Sequence, residues 1–334
     1  MRVSTSQIYR QTTDSLMRNL ADIVRLNEQV SSGKKINKPS DDAAGASRAL
    51  DYKVAIDAGE QYGKNTADAS NAIGFAENAL DSASSALVRL KELALQAANG
   101  TQDAASRAAI SKEAAQLKDQ LLSIANSRNG NEYVFSGFKT DVPAFDSSFA
   151  YQGDSGAINV MVDRSVMIPR NVTGSEAFGY SLSAPQTVTT DGGKIVHYIP
   201  GSGTTINVEI RAADDATVLD SFHFDNVMQM TDLLSQALVN NDAARVSALM
   251  KPLDDAMGHV SDVRADLGAR LNRLDDQGVR LEDTKLATQT ALSGVEDADI
   301  VSTVSDIAKA NTALQALQAS SAKLLSQSLL DFLR

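Results

Sequence analysis

Apolar residues near both ends of this chain recur in alternating steps of four and three, and the recurrence fails in the middle. At the N-terminal end Tyr9, Thr13, Leu16, Leu20, Ile23, Asn27 and Val30 keep that spacing. At the C-terminal end Ile300, Val304, Ile307, Leu314, Leu317, Leu325, Leu329 and Phe332 fall in phase. A repeat of this kind draws one stripe along a helix and calls for a partner helix to cover it. Both stripes are diluted, one by Thr13 and Asn27, the other by Asn311, Gln318 and Ser321. A lone helix with such a stripe is marginal in water. The stripes are therefore expected to bury each other, together with copies from other subunits. The assembly residues are Tyr9, Leu16, Leu20, Ile23, Val30, Ile307, Leu314, Leu317, Leu325, Leu329 and Phe332. Residues 1–40 and 296–334 are expected to be weakly ordered in a free monomer.

Two polar interruptions lie at similar depth from the ends. In "SSGKKINKPSDDAAG", residues 31–45, Gly33 can stop a helix, and Pro39 pushes Lys38 out of helical geometry. Ser40 or Asp41 then supplies a cap for the next helix. "SGVEDAD", residues 293–299, is the second break. Gly33, Pro39, Asp41, Asp42 and Gly294 are the candidate hinge residues. Between the breaks the periodicity is cleaner. Ile73, Ala76, Leu80, Ala83, Leu87, Leu90, Ala94 and Ala97 mark a helix from about 41 to 99, and "NGTQD" at 99–103 marks a turn. Ile110, Ala114, Leu117, Leu121 and Ile124 mark another helix. On the return, one helix is expected over 228–249 and a long one from near Pro252, carrying Leu253, Met257, Val260, Leu267, Leu271 and Leu274.

From about 131 to 226 the helical period disappears. "AINVMVD", "SVMIPRNV", "KIVHYI", "TTINVEIRA" and "FHFD" read as short strands between turns. This stretch holds twelve acidic against five basic residues, the mark of a solvated, outward module. The fold class is thus mainly α with a β-rich insertion. The nested segments are 1–42 with 296–334 as terminal coiled-coil helices, 43–130 with 227–295 as a long-helix bundle, and 131–226 as an outer β domain.

Composition narrows the chemistry. There is no cysteine, which removes disulfides, thiol nucleophiles and Cys-bound zinc. A net charge of −11 disfavours nucleic acid and anionic membrane as partners. No apolar run is long enough to span a bilayer, and "MRVSTSQIYRQ" carries no apolar core of a secretory signal. Gly33-Lys34 fails the phosphate-loop pattern, since Glu28 and Lys35 occupy its outer positions. Asp41-Asp42 and Glu296-Asp297-Ala298-Asp299 read as helix-end acids, and the latter lacks calcium-loop spacing. His197, His223 and His259 form no zinc motif; His223 and Asp225 share a strand face, a weak metal pair at most. There is no nucleophile elbow. The expectation is a non-enzyme with no cofactor and no metal.

Several segments, in order, resemble the bacterial flagellin superfamily, on the branch that joins hook to filament. "MRVSTSQIY" is similar to the family's opening, and "SSGKKINKPSDDAAGA" to its segment between the innermost and next domains. "NEYVFSGFKTDVPAF" resembles the junction branch's transition into its outer β domain. "LGARLNRLDD" and "VEDADI" resemble the returning helix and second hinge, and "NTALQALQASSAKLLSQSLLDFLR" the C-terminus. The resemblance implies a structural adaptor that self-assembles as a ring and is exported through the flagellar channel without a cleaved signal, to an extracellular place on the flagellum. Its implied partners are itself, the first hook-associated protein below, flagellin above, and a cytosolic export chaperone on the C-terminal helix. A filament-forming flagellin, or a surface binding module acting through the β insert, are the alternatives. "LVRLKELALQAANGT" is similar to the flagellin helix that animal innate receptors recognise, which nominates Arg89, Glu92 and Leu93 as a receptor-facing surface. Against that, Leu87, Leu90 and Ala94 sit at core positions of the same helix.

Overall fold

A computed structural model describes residues 5–98, 104–190 and 192–332; the turn expected at 99–103 lies outside them. The elements are α1 (Thr5–Ser32), α2 (Ala43–Ala98), α3 (Ala104–Ala125), β1 (Arg128–Asn129), β2 (Glu132–Tyr133), β3 (Asn159–Asp163), β4 (Val166–Pro169) and α4 (Gly174–Phe178). They continue as β5 (Gln186–Thr189), β6 (Ile195–Pro200), β7 (Ile206–Arg211), β8 (Val218–Phe224), α5 (Val227–Val239), α6 (Ala243–Glu296) and α7 (Ile300–Phe332). The class is mainly α with a β-rich insertion, as the periodicity predicts. The chain divides into two compact units: residues 1–60 with 281–334, and residues 61–280.

The second unit has a complete core. Ile73, Leu80, Leu87 and Leu90 of α2 are fully buried, with Ile110 and Leu121 of α3 and Leu253, Val260, Leu267 and Leu274 of α6. The alanines of the α2 stripe, Ala76, Ala83 and Ala94, are buried as well and let helices approach closely. Ion pairs line this core: Arg264 bonds Glu77 at 2.7 Å, Lys91 bonds Asp254 at 2.6 Å, and Lys118 bonds Asp232 at 3.1 Å.

The insertion forms an antiparallel sheet in the order β5-β6-β7-β8, with a separate β3-β4 hairpin. Val208 lies opposite Tyr198 on one side and Phe222 on the other. Ile206, Val208 and Ile210 alternate inward with Val196 and Tyr198, so one face is core and the other carries His197 and Glu209. Beside the sheet, Phe178 packs edge-on against Phe135 and Phe145, with ring centroids 5.3 and 5.7 Å apart. The strands β3, β4, β6, β7 and β8 fall on the stretches the sequence nominates. Four elements do not. The β1 and β2 pair has two residues a strand, too few to show alternation. The four-residue β5 is too short to carry a pattern. Helix α4 did carry a signal: Thr173 caps it by accepting the Glu176 N–H at 3.2 Å, and Thr-Gly-Ser-Glu has the spacing of a capping box.

The returning helices depart from expectation. The break falls at 240–242 rather than before Pro252. Asn241 takes a left-handed conformation (φ 54), and Asp242 caps α6 by accepting the Ala244 and Arg245 N–H groups at 3.1 Å. Pro252 therefore lies inside α6. It has no N–H to give the Ala248 carbonyl one turn back. The buried Tyr198 hydroxyl fills that place, donating to the Ala248 carbonyl at 2.8 Å, and the Tyr180 hydroxyl donates to the Pro252 carbonyl at 2.9 Å. Burial pushes both phenols well above the usual tyrosine range, so both remain protonated donors.

Tyr198→Phe should strand a buried carbonyl and cost about 1–3 kcal/mol in chemical denaturation of the second unit. In a Pro252→Ala background, where the helix supplies its own N–H, the same change should cost clearly less. Equal costs in both backgrounds would show that the tyrosine does not act through the proline gap.

Candidate assembly site

The first unit is built around its two chain breaks, which bind each other. The Lys35 N–H donates to the Glu296 carbonyl at 2.6 Å, and the Ala298 N–H donates to the Gly33 carbonyl at 2.9 Å. Lys34 and Asp297 form an antiparallel bridge. Gly33 permits this with a left-handed backbone (φ 70), where a side chain would be strained. The buried Gln29 donates to the Lys35 carbonyl at 2.8 Å, tying the end of α1 to the crossing.

One carboxylate sits at the centre. The Glu296 side chain is only 9% exposed and accepts from Lys34 Nζ at 2.8 Å and Lys53 Nζ at 2.9 Å. Burial pushes its pKa up, but the two ammonium groups outweigh burial and hold it below the usual glutamate value. Around it, Asp41 closes the loop before α2 by accepting the Asn37 and Lys38 N–H groups at 3.0 and 2.8 Å. Those same bonds lower the Asp41 pKa. Pro39 occupies the second position of a turn closed by the Asp41 N–H on the Lys38 carbonyl at 2.9 Å, where its fixed φ fits. The cap of α2 is Asp42, which accepts the Gly45 N–H at 2.9 Å; neither Ser40 nor Asp41 holds that place. Gly45 must be small, because a Cβ there would stand 2.6 Å from Ile36 Cδ1 and 2.5 Å from the Asp42 carboxylate. Asp299 caps α7 by accepting the Ser302 N–H at 3.1 Å. Gly294 lies in the last turn of α6 with open space around it and an ordinary helical backbone.

From this crossing α1 and α7 run side by side and antiparallel: Arg25 and Asp306 line one end of the groove between them, Ser15 and Ala313 the other. The groove holds about 630 Å³ and is polar, with Arg18, Asp22 and Lys309 at its walls. Leu16, Ile23 and Val30 of α1 and Ile307, Leu314 and Leu317 of α7 are half-buried, while Leu20 is exposed. The side chains of Tyr9, Leu325, Leu329 and Phe332 lie outside the described residues. On the C-terminal stripe Val304 is exposed, and off the stripes the unit exposes further apolar groups: Met17 at 64%, Val301 at 82%, and Val24, Leu50 and Val54. The latter five carry no signal in the sequence, because they lie beside the repeat rather than on it.

The other nominated residues lie in the second unit. Arg89 bonds Glu113 at 2.7 Å and Glu92 at 2.8 Å, and both bonds raise its pKa. Leu93, at 1% exposed, is core and forms no part of the surface that Arg89 and Glu92 present. His197 lies between Thr187 and Asp215, at 3.0 and 2.7 Å. Asp225 accepts the Thr205 hydroxyl at 2.7 Å. The Asn171 side chain is used at both ends: its oxygen accepts the Ile158 N–H at 2.8 Å and its amide donates to the Gly156 carbonyl at 2.9 Å. Among the described residues no group of three or more His, Asp or Glu side chains is placed to hold a metal ion, and no helix is long and apolar enough to cross a membrane.

The two nominated hinge glycines should separate on substitution. Gly33→Ala should destabilise the first unit by about 1–2 kcal/mol, from the left-handed backbone. Gly294→Ala should stabilise it by about 0.5–1 kcal/mol, since a helical glycine with free space gains from a side chain. Thermal melting followed by circular dichroism checks both; equal signs would remove Gly33's special role.

Comparison with known proteins agrees with this architecture. The bacterial flagellin N-terminal helical region matches residues 3–140, and the bacterial flagellin C-terminal helical region matches residues 250–333. Flagellar hook-associated protein 3 of Escherichia coli K12 is 29% identical over 318 residues, which is 95% of this chain and 94% of that protein. The flagellin of Bacillus subtilis is 28% identical over 325 residues, 96% of this chain and 94% of that protein. The crystal structure of the flagellar junction protein from Legionella pneumophila shares the fold with a TM-score of 0.54 at 21% identity, covering 74% of this chain and 100% of that one. With both helical regions matched in order, around a fold shared with a flagellar junction protein, the chain belongs to the bacterial flagellin family.

Proposed function

We propose that this chain is a self-assembling structural adaptor of the flagellum, forming a ring at the hook–filament junction and presenting a platform on which flagellin polymerises. The observation that carries the reading is the incomplete burial of the first unit. Val301, Met17, Val24 and Val304 stand in water on helices that a second copy can cover. Burying one such side chain is worth about 1.5–3 kcal/mol, so a few per subunit suffice to drive association. Resemblance to hook-associated protein 3 supports the junction over the filament. The first hook-associated protein is then the layer below and flagellin the layer above. The protein works outside the cell after export through the flagellar channel. Before export, a cytosolic chaperone covers the stripe that includes Leu325 and Leu329, which would otherwise invite association.

Deletion of the gene, followed by electron microscopy, tests this. Hooks should persist without filaments while flagellin accumulates in the medium; normal filaments would sink the proposal. A filament-forming flagellin, favoured by the near-equal identity to the Bacillus subtilis protein, predicts no such leakage of another flagellin. Were the β insert a binding module and the true active part, replacing residues 140–225 by a short linker would abolish function; the adaptor should still assemble in part. Val301→Asp with Val304→Asp should prevent assembly in sedimentation while leaving the melting of residues 61–280 unchanged. Leu325→Asp with Leu329→Asp should abolish capture of the purified chaperone, and wild-type capture would remove the C-terminal stripe as its site.

A further inference from the structure

The first unit has few buried groups, and they gather at one place. Among the described residues Gln29, Ile36, Gly45, Ala49, Glu296 and Thr303 are buried there, whereas the described side chains of α1 and α7 beyond them are half-buried or exposed. The groove between those helices is polar and open. Beyond Gln29 and Thr303 the described part of the seam thus buries no side chain fully, and the buried bonds that set the two helices in register lie at the crossing. The crossing at 33–35 and 296–298 does so with two backbone hydrogen bonds and one carboxylate that accepts two ammonium groups.

We infer that Glu296, with Lys34 and Lys53, is an ionic latch that holds the two chain breaks together in the unassembled subunit and keeps α1 and α7 adjacent only while the carboxylate is charged. Removing the charge leaves two ammonium groups facing a nearly buried neutral side chain, and the backbone bonds beside it lose their support. Three features suit a latch rather than a passive ion pair. It joins three separate stretches: Lys34 in the first break, Lys53 in α2 and Glu296 itself at the end of α6. Its neighbouring charges are otherwise committed: Asp297 to Ser293, Asp299 to the cap of α7, Asp42 to the cap of α2, Asp41 to its own loop, and Glu28 to Lys38 at 3.1 Å. Lys35 engages the crossing through its backbone. Glu296 is therefore the one carboxylate here whose charge is answered across the crossing by both lysines.

The pH dependence follows from the direction of the shift. Glu296 is held below the ordinary glutamate value of 4.5. Its contribution is full above that value and is lost as pH falls through the lower folded value. The latch is thus closed at neutral pH and opens only in acid. The latch acts within one subunit, whether or not subunits form a ring.

Amide exchange of the full-length monomer tests it, expressed as protection factors. Against the weak order that the diluted stripes predict for 1–40 and 296–334, wild type at pH 7 should protect 29–36 and 296–303, where the crossing is bonded, and lose that protection in a step below pH 4.5. Glu296→Gln, which keeps the shape and removes the charge, should lower protection at 296–303 at least tenfold at pH 7 and abolish the step there. Protection at 73–97 should be unchanged and shows that the second unit is folded. Wild-type protection at 296–303 in the variant, or the same acid step, overturns the latch. If protection at 73–97 also falls, the milder pair Lys34→Gln with Lys53→Gln decides by the same criterion: a selective tenfold loss at 296–303 supports the latch, and no loss overturns it.

Discussion

Two backbone hydrogen bonds, from Lys35 to Glu296 and from Ala298 to Gly33, join the two chain breaks inside the first unit. The buried groups of that unit are arranged around them. The two bonds fix α1 against α7 as antiparallel neighbours, because α1 runs into the crossing at Gly33 and α7 leaves it just after Ala298. They demand a left-handed residue at 33, which glycine supplies. They bring the end of α6 beside α2, where Lys53 meets Glu296 and Lys285 meets Glu60 at 2.9 Å. A loop of more than two hundred residues closes at this point. Its closure entropy grows only slowly with length, so a small set of bonds can hold it once residues 61–280 have folded.

The two units divide the work by how completely they bury apolar surface. In residues 61–280 the leucine and alanine stripes of α2, α3 and α6 find partners within the chain, and even the defect made by Pro252 is repaired by Tyr198. The first unit spends its few buried positions on the crossing and leaves Met17, Val24, Val301 and Val304 in water. A monomer that covered those groups internally would have little left with which to associate.

Much of this was legible in the sequence, and the reasons for the rest are physical. Period fixed the helices and alternation fixed the longer strands, because both follow from backbone geometry alone. Gly33 and the acids at 41, 42 and 299 announced breaks and caps, since those signals are local. The cap itself fell one residue later than expected, at Asp42, because Asp41 was taken by the Asn37 and Lys38 amides. Pro252 misled, because proline breaks a helix only where no outside donor can satisfy the freed carbonyl, and that donor lies fifty residues away. Glu296 with Lys53 was invisible for the same reason at greater range, 243 positions apart in the chain. Leu93 shows the converse error: similarity of a stretch to a recognised surface does not say which of its side chains face outward.

The choice of an ionic centre for the crossing has a physical logic tied to what surrounds it. The unit carries exposed valines and a methionine within a few helical turns of the crossing. An apolar cluster at the crossing would offer those side chains an internal partner, and hydrophobic contacts are tolerant of geometry. Alternative packings would then compete with the one that presents the stripe. A nearly buried carboxylate accepts only cationic or hydrogen-bonding partners at short range, and its burial is costly unless both lysines are in place. It therefore admits one arrangement of the three stretches that meet there. Net stability from such a centre is small, but the arrangement it selects leaves the apolar stripe uncovered, which is the state from which a second copy can bind.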